Sequence, residues 1–210
     1  MCKQAITKAM HPSEERRRWD LHLYTLVGGQ VPLVRTLAYR TAGYDQFDAG
    51  YEAVLAFMIR GGHNQEDSVL INQAAVDRGF GTITYYHTIK CMLPKSRSSK
   101  SNGIKYRFAR PPDGARLKVI GAKYSKIDDQ GLPIKGKYLR PGDVVFGRVE
   151  VTPGVEIKDL SVVMSAIDSP GYVDEVRLTT TYNGVMALVR LRSHMPLQVG
   201  DKVASRHGQK

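Results

Sequence analysis

The sequence has no apolar run long enough to cross a membrane. Its longest apolar stretches, such as residues 54–59, are far shorter than the roughly 20 residues that a membrane helix needs. The N-terminus also lacks the charged and then apolar pattern of a secretion signal. We therefore expect a soluble protein that has no membrane partner.

Cysteine is scarce, and the usual catalytic motifs are missing. The two cysteines, Cys2 and Cys91, have no CxxC spacing and no nearby histidine, so we expect neither structural zinc nor a disulfide framework. A reducing compartment is the natural expectation. No GxSxG, HExxH or GxxxxGK[ST] pattern occurs, which argues against serine-hydrolase, zinc-protease and P-loop chemistry.

Acidic residues are outnumbered by basic ones. The chain has 31 Lys and Arg against 20 Asp and Glu, a formal net charge of +11 and an isoelectric point near 9.7. Such an excess attracts polyanions by Coulomb steering and counterion release, so nucleic acid is the leading partner class. A basic surface that only keeps the protein soluble, or that docks an acidic subunit, is the alternative at this point.

The 210 residues are 42% apolar and can form one large domain or two small ones. Short β-branched and aromatic runs separated by turn residues predict a mixed, β-rich fold with few short helices. The predicted helical pieces are a short helix or turn over 11–20, capped by Ser13, and a turn over 73–78. The predicted strands cover residues 31–38, 51–60, 68–72, 82–89, 117–122, 143–151, 171–181 and 185–192.

Two local patterns give sharper structural predictions. Asn183-Gly184 is typical of a type I′ turn, so the strands that flank it should be antiparallel neighbours. Residues 95–112 hold six Lys or Arg, no acid, and several Ser, Asn and Gly. They predict a mobile basic loop that touches nucleic acid, or else an insertion without a specific role.

One turn presents two adjacent carboxylates. Residues 61–68 read GGHNQEDS, and Glu66 and Asp67 lie next to each other between two apolar segments. Oxygen ligands suit Mg²⁺, which takes one or two carboxylates and completes its shell with water and phosphate. An ordinary polar turn is the simpler interpretation. A small metal-dependent phosphoesterase is a poor candidate, because no further acids follow at a usable spacing.

Two basic segments are candidate phosphate-binding elements. Residues 200–210 read GDKVASRHGQK, in which small residues separate the basic ones and glycine allows backbone to approach a phosphate. A disordered basic tail is the alternative. Near the N-terminus, Lys3 and Gln4 offer a cation and an amide that could bond a phosphate or a ribose.

Read in order, four blocks of the sequence resemble a known family. They are MCKQA, VPLVRTLAYR with the following GYEAVLAFMIRGGHNQEDSVLINQAAVDRGF, YSKIDDQGLPIKGKYLRPGDVVFGRV and VGDKVASRHGQK. Together they resemble the second-largest, β-type subunit of multisubunit DNA-directed RNA polymerases. The final GQK is similar to the archaeal, eukaryotic and large-virus version of that subunit. Cys2 stands where the family pattern has Gly, and His63 stands where Tyr is common.

The resemblance implies an internal piece of a longer subunit. Its layout would be the first part of a hybrid-binding region over 1–82, a wall or flap region over 83–196 that includes the basic loop 95–112, and a return to the hybrid-binding region over 197–210. The hybrid-binding region would supply part of a double-psi β-barrel, into which the β-rich wall is inserted. The remaining barrel strands would follow Lys210.

The resemblance also implies roles in RNA synthesis. Glu66 and Asp67 would face the second, nucleotide-borne Mg²⁺, directly or through water, while the main metal ligands lie on the largest subunit. Lys202 and Lys210 would bind phosphates near the RNA 3′ end, and Lys3 and Gln4 would touch the RNA backbone upstream. The remaining nucleic-acid-binding candidates of the same wall are Arg206, His207 and Gln209.

The implied partners are the largest and other polymerase subunits, the DNA template, the RNA transcript and nucleoside triphosphates. The implied location is the nucleus for a eukaryotic source, and the cytoplasm for an archaeon or a cytoplasmic large DNA virus. The alternative from another class is a non-catalytic β-barrel domain that binds single strands or RNA. Such a domain would combine the basic charge with stacking on the scattered tyrosines.

Overall fold

The computed structural model describes residues 18–46, 50–94, 104–112, 115, 121–154 and 157–208. These residues form strands and a few short helices, so the prediction of a β-rich fold with few short helices is confirmed. The helices are α1 (Leu37–Thr41) and α2 (Gln73–Asp77), with a 3₁₀ turn at Tyr44–Gln46. The strands are β1 (His22–Leu26), β2 (Ile83–Pro94), β3 (Lys105–Phe108), β4 (Tyr138–Leu139), β5 (Val144–Phe146), β6 (Arg148–Val151), β7 (Lys158–Asp159), β8 (Val162–Val163), β9 (Gly171–Thr181) and β10 (Gly184–Met195).

The chain divides into two compact units. Unit one comprises Arg18, Tyr24–Tyr85 and the described residues from His194 onward, and unit two comprises Trp19–Leu23 and Tyr86–Ser193. The strands form a five-stranded sheet in the order β1-β2-β10-β9-β4, a three-stranded sheet β3-β6-β7 and a two-stranded sheet β5-β8. None of these sheets closes into a barrel within the described residues. No helix in the described ranges is both long and apolar enough to span a membrane.

Unit two contains the main hydrophobic core. Some of its strands bury alternate positions, as at Gly171 and Val173 of β9, whereas β5 is buried at all three of its residues. Phe146 is fully buried, and the ring of Phe108 lies 6.2 Å from its ring, centroid to centroid. The cluster consists of Cys91, Leu132, Leu139, Val145, Phe146, Met164, Val173, Ala187, Val189 and Leu191.

The hairpin formed by β9 and β10 confirms one prediction and corrects its detail. The two strands are antiparallel neighbours, as expected. The turn type was wrong, because Gly184 pairs with Thr181 and the loop therefore consists of Tyr182 and Asn183. Glu66 is the single non-glycine residue with positive φ in the described chain, so neither loop residue has the left-handed backbone of a type I′ turn. The Thr181 hydroxyl instead donates to the carbonyl of Gly184 at 2.9 Å.

The predicted basic loop is partly a strand. β3 lies within residues 95–112 and pairs antiparallel with β6, from Lys105 opposite Val151 to Phe108 opposite Arg148. The segment KYRF alternates exposed and half-buried positions, which suits a strand that packs one face on the core. The prediction of a loop is therefore wrong for these residues. Residues 95–103 lie outside the described part.

The strand predicted over 143–151 is broken into β5 and β6 at Gly147. The N–H of Gly147 donates to the carbonyl of Gly131 at 2.8 Å instead of continuing a ladder. A Cβ atom at Gly131 would lie 2.4 Å from the carbonyl oxygen of Gly147, so only glycine permits this approach. The break follows from close backbone contact, which the apolar pattern did not signal.

Three strands predicted in unit one are absent from it. Residues 31–36 are irregular and lead into α1, because the Thr36 hydroxyl accepts the N–H of Tyr39 at 3.1 Å and caps that helix. Residues 51–60 form no strand, and neither do residues 68–72, which end at the α2 cap Asn72. The predicted turn over 73–78 is confirmed as α2. These apolar segments lack a partner strand within the described residues.

Because these apolar segments are not paired into a sheet, unit one has a large exposed apolar surface. Val54 and Phe57 are 104% and 94% exposed, and Ile59 is 79% exposed. Leu33, Val34 and Leu37 are also exposed. We call these side chains together the apolar face of unit one. Of the remaining predicted elements, the helix or turn over 11–20 and the strand over 117–122 lie largely outside the described residues.

Candidate nucleic-acid interface

The turn that carries the paired carboxylates is organised by Asn64. Its side-chain oxygen accepts the N–H of Arg60 at 3.0 Å, and its amide donates to the carbonyl of Met58 at 2.5 Å. Gly61 and Gly62 follow with φ of +56° and +76°, values that glycine adopts without steric cost. The amide side chain thus replaces the backbone partners that a strand would have supplied. It holds residues 58–64 as a compact turn.

Glu66 has an uncommon backbone conformation beside this turn. Its φ is +54°, in the left-handed region that disfavours most side chains. The next turn is closed by Ser68, whose N–H and hydroxyl both bond the carbonyl of Gln65, at 3.1 and 2.7 Å. Strained residues of this kind concentrate at functional sites, at a cost of about 1–3 kcal/mol each. The strain at Glu66 therefore agrees with a role for its side chain.

Glu66 and Asp67 suit a cation that is brought with a ligand better than a resident metal. Both side chains are exposed, and neither carboxylate has a hydrogen bond or an ion pair with the described residues. The described chain contains no group of three or more His, Cys, Asp or Glu that could hold a metal. Two free carboxylates fit Mg²⁺ whose other ligands are phosphate and water. The two carboxylates are therefore suitable ligands for Mg²⁺, but the ion would need further ligands from phosphate and water.

The basic segment 198–208 consists of two turns. Asp201 closes the first, because its carboxylate accepts the N–H of Gln198 at 2.9 Å while its own N–H donates to the carbonyl of Gln198. Ser205 closes the second, where its carbonyl accepts the N–H of Gly208 at 2.9 Å. Lys202 lies between the turns, is exposed, and makes no hydrogen bond or ion pair within the described residues. Its ammonium group is available to an anion.

Arg206 has a structural contact that its sequence position did not indicate. Its guanidinium Nη1 donates to the carbonyl of Val34 at 2.7 Å, across 172 positions of sequence. Its Nε donates to Nε2 of the exposed His207 at 3.4 Å. The guanidinium group therefore fastens the second turn to the segment before α1, and it keeps donors for a further partner.

A set of contacts within unit one supports these segments. The Tyr51 hydroxyl donates to the carbonyl of Val27 at 2.6 Å, and the Tyr51 ring lies 5.0 Å from that of Phe80, centroid to centroid. The Glu52 carboxylate accepts the N–H of Leu33 at 3.2 Å. Leu197 packs so closely on Gly81 that a Cβ there would lie 3.0 Å from it. Irregular segments are thus held in place by specific side chains where strand ladders are missing.

The candidate residues divide into two groups. Glu66, Asp67, Lys202, Arg206 and His207 belong to unit one and are exposed. The candidates Lys3, Gln4, Gln209 and Lys210 lie outside the described residues. Sequence reasoning missed Asn64 and the Val34 carbonyl. An Asn two residues after a Gly-Gly pair is a turn signal that could have indicated the first, whereas a backbone acceptor leaves no signal in the sequence.

Comparison with known proteins places this β-rich, basic chain among subunits of multisubunit polymerases. The model of the family RNA polymerase Rpb2, domain 6, matches residues 1–210. The chain therefore belongs to this family. The resemblance predicted from the sequence is confirmed.

Individual relatives agree with the family. The DNA-directed RNA polymerase II subunit 2 of Arabidopsis thaliana is 33% identical over 219 residues, which covers all of this chain and 18% of the relative. The DNA-directed RNA polymerase II subunit RPB2 of Encephalitozoon cuniculi is 33% identical over 220 residues, and the DNA-directed RNA polymerase III subunit RPC2 of Schizosaccharomyces pombe is 30% identical over 224 residues. Each covers all of this chain and 19% of the relative. The chain thus spans about a fifth of the relatives it matches.

Proposed function

We propose that this chain is part of the second-largest subunit of a DNA-directed RNA polymerase, a nucleotidyltransferase. In that subunit it holds the RNA–DNA hybrid and helps to position the Mg²⁺ that arrives with the nucleoside triphosphate. The observation that carries the proposal is the family match over residues 1–210. The matched region includes the turn with Glu66 and Asp67, whose carboxylates have no partner within the described residues. An excess of basic residues supports contact with a polyanion, and so does the exposed Lys202, which has no partner in the part of the chain that the structure describes.

The proposed layout assigns residues 1–82 and 197–210 to the hybrid-binding region and residues 83–196 to the wall. The division of the chain into two compact units supports it, because unit one contains both candidate segments and unit two contains the large apolar core. The hybrid-binding region contributes part of a double-psi β-barrel. Its apolar face and its unpaired extended segments support this part of the proposal, since further strands would cover both.

The proposed roles come from the family resemblance, and the charge and exposure of Lys202, Arg206 and His207 support them. Lys202 and Lys210 bind phosphates near the RNA 3′ end, and Lys3 and Gln4 touch the RNA backbone upstream. Arg206, His207 and Gln209 belong to the same wall of the site. Such contacts to phosphate place the hybrid without reading its bases, as an enzyme that transcribes any template requires. Arg206 is also tied to the Val34 carbonyl, so it orients this wall as well as contributing charge.

Metal-ion chemistry enters through the substrate. When bound, Mg²⁺ stabilises the charge that develops on phosphate oxygens during nucleotidyl transfer. Glu66 and Asp67 would hold that ion from the protein side, directly or through water, and the main metal ligands lie on the largest subunit. The chain's own contribution is therefore to orient two carboxylates, which the turn at Asn64 supports.

The proposed partners are the largest and other polymerase subunits, the DNA template, the RNA transcript and nucleoside triphosphates. Eukaryotic relatives support a nuclear location for a eukaryotic source. For an archaeon or a cytoplasmic large DNA virus, the same function would be carried out in the cytoplasm.

The test replaces both carboxylates in the assembled polymerase. Glu66→Ala with Asp67→Ala should slow nucleotide addition by about tenfold or more at limiting Mg²⁺, and less at high Mg²⁺, while assembly is unchanged. Asp129→Ala, which removes an exposed acid of unit two, is the control and should leave the rate unchanged. Nucleotide addition is measured by single-turnover extension of an RNA primer. An unchanged elongation rate in the double variant would exclude the metal role.

A further inference from the structure

A cavity of about 460 Å³ in unit two lies beside strand edges. Its lining consists of residues 107–110 at the end of β3, Asp129, Gln130, Leu132, and Leu178 of β9. Among the described strands β3 pairs with β6 alone, and β9 pairs with β4 only at Gly171 and Tyr172. The N–H of Arg110, just after β3, donates to the carbonyl of Asp129 at 3.2 Å, and Val173 of β9 bonds the backbone of residues 136 and 137. Within the described residues, the outer edge of β3 itself and the edge of β9 beyond Val173 have no backbone partner. Uncovered strand edges are templates for another extended chain.

The free backbone groups of β3 can be identified from its pairing. The N–H of Ala109 donates to the carbonyl of Gly147 at 3.2 Å, on the side that faces β6. The direction of the backbone hydrogen bonds alternates along an antiparallel strand. The backbone N–H and C=O groups of Arg107 therefore also point toward β6, and those of Tyr106 and Phe108 point away from it. An extended peptide could pair with these groups and add a strand to the sheet β3-β6-β7.

The charges around the cavity select the kind of peptide. Arg107 and Arg110 are exposed, and neither guanidinium group has a hydrogen bond or ion pair within the described residues. Lys105 lies two residues before Arg107, on the same face of β3, and is exposed as well. Asp129 is the single acid of the lining. The surroundings are therefore predominantly cationic and favour carboxylates on the partner.

The apolar part of the lining fits a side chain better than a nucleic-acid base. Leu178 is 50% exposed and offers an aliphatic contact. Phe108 is the one aromatic residue of the lining, it is half-buried, and it packs on Phe146. Nucleic acid without sequence preference is normally held by exposed aromatic rings on which successive bases stack. The strand edges and the leucine thus favour a polypeptide over a single-stranded RNA.

We propose that this cavity binds an extended acidic segment of a partner protein. The segment adds a strand at the outer edge of β3, places carboxylates against Arg107 and Arg110, and inserts an apolar side chain toward Leu178. We call this site the β3 edge site. It is separate from the proposed roles in RNA synthesis, which involve unit one. Asp129 in the lining influences which acidic segments bind, because its carboxylate repels a partner carboxylate placed close to it.

The test measures fluorescence anisotropy of short labelled peptides with the whole protein in its native complex. The probes are a peptide of alternating Glu and Leu, the matching peptide of Lys and Leu, an N-methylated Glu and Leu peptide, and oligouridylate. We expect the Glu and Leu peptide to bind and the Lys and Leu peptide to bind at least about tenfold more weakly. N-methylation removes the donors of a strand but keeps the charges, so it should also abolish binding.

Variants then locate the site. Arg107→Glu with Arg110→Glu should weaken binding of the Glu and Leu peptide by about tenfold or more, whereas Asp129→Asn should strengthen it by about two- to threefold. Lys135→Glu with Lys137→Glu, two exposed lysines outside the cavity, is the matched control and should retain most of the affinity. If the first variant fails to fold, the peptide series on the unaltered protein still decides the result.

Three results would overturn the proposal. The first is equal binding of the acidic peptide and its N-methylated form, which would show that charge alone, without strand pairing, accounts for binding. The second is the absence of binding by the acidic peptide. The third is binding of oligouridylate with the same dependence on Arg107 and Arg110, which would make the site a nucleic-acid site. None of these results affects the proposed role in RNA synthesis, since nucleotide addition is measured separately.

Discussion

Arg190 of β10 and Asp174 of β9 are joined through a bulge, with the guanidinium Nε donating to the Asp174 carboxylate at 2.9 Å. The register passes from Arg190 opposite Glu175 to Leu191 opposite Val173, so Asp174 is the extra residue. A bulge re-aims side chains that would otherwise point to opposite faces. Glu175 therefore reaches the same guanidinium, whose Nη2 donates to it at 3.0 Å. The Arg190 guanidinium also lies 5.2 Å from the centroid of the Trp19 ring.

The first prediction concerns this cluster. Arg190→Ala should lower the free energy of unfolding of unit two by about 1–2 kcal/mol, because it leaves the partly buried Asp174 carboxylate without its cation and removes a cation–π contact, while Glu175 keeps its ion pair with Arg177. Urea unfolding followed by the fluorescence of Trp19, the single tryptophan, measures the change. Arg192→Ala, two residues later on the same strand and exposed, is the control and should cost under about 0.5 kcal/mol. Equal effects of the two changes would contradict this account.

The second prediction separates the backbone of Glu66 from its charge. Glu66→Asn should stabilise the turn by up to about 1 kcal/mol, because Asn tolerates the left-handed backbone better than Glu. The same change should slow nucleotide addition in the polymerase, because a carboxylate is lost. Asp67→Asn removes the neighbouring charge where the φ is not positive, so it should slow addition without stabilising. Thermal unfolding and primer extension measure the two effects.

The third prediction concerns Lys202. If its ammonium group contacts a phosphate, Lys202→Gln should weaken hybrid retention and reduce the slope of log affinity against log salt by about one. The measurement is hybrid dissociation from the polymerase at several salt concentrations. Lys135→Gln removes an equally exposed lysine from unit two and should leave the slope unchanged. An unaltered slope for Lys202→Gln would count against direct phosphate contact.

The fourth prediction is a pH dependence due to Asp143. Burial alone would raise the pKa of this carboxyl, but hydrogen bonds from Lys126 and from the N–H of Arg140, with the charges of Lys126 and Lys123, outweigh burial and hold the pKa below its ordinary value. The Lys126 ammonium lies 2.6 Å from the carboxylate. Since the folded pKa is the lower one, the unfolded state binds the proton more tightly. The stabilisation is complete above the unfolded pKa of about 3.9 and is lost as the pH falls through the folded pKa.

Asp143→Asn should therefore remove part of the loss of stability in acid. Its urea midpoint should be lower than that of the unaltered protein near neutral pH, and the difference should narrow as the pH falls below about 4. Asp129→Asn, at an exposed carboxylate without a hydrogen bond in the described residues, is the control. Its urea midpoint should change with pH in the same way as that of the unaltered protein. A constant difference between Asp143→Asn and the unaltered protein at all pH values would show that the ion pair is not responsible.

Some elements could be predicted from the sequence because their signals are local. The strand at 171–181 and the strand after it combine alternation with a turn signal, and both are found with nearly the expected bounds. β3 was missed because the first six residues of the basic stretch are all Lys, Arg or Ser, and this composition concealed the short alternation in KYRF. The turn type at Asn183 was wrong because register, a non-local property, shifted the loop by one residue.

The remaining errors have a common physical reason. Residues 31–38 and 51–60 have the composition of strands, but a strand needs a partner, and the described residues supply none. In the candidate site, the sequence indicated the acids and the cations but not what holds them. The bonds from Asn64 to the turn and from Arg206 to the Val34 carbonyl depend on the folded path of the chain.

The apolar face of unit one has a consequence for the supply of this protein in a cell. Phe57 and Val54 are as accessible as they would be in an extended chain, so a copy without the proposed partner subunits would display the surface that chaperones and proteases recognise. Protein made in excess of the proposed partner subunits would aggregate or be degraded. Its steady-state level in the cell would therefore be limited by the least abundant of those subunits. Pulse-chase labelling with and without co-expression of the partner subunits measures this coupling as a difference in half-life.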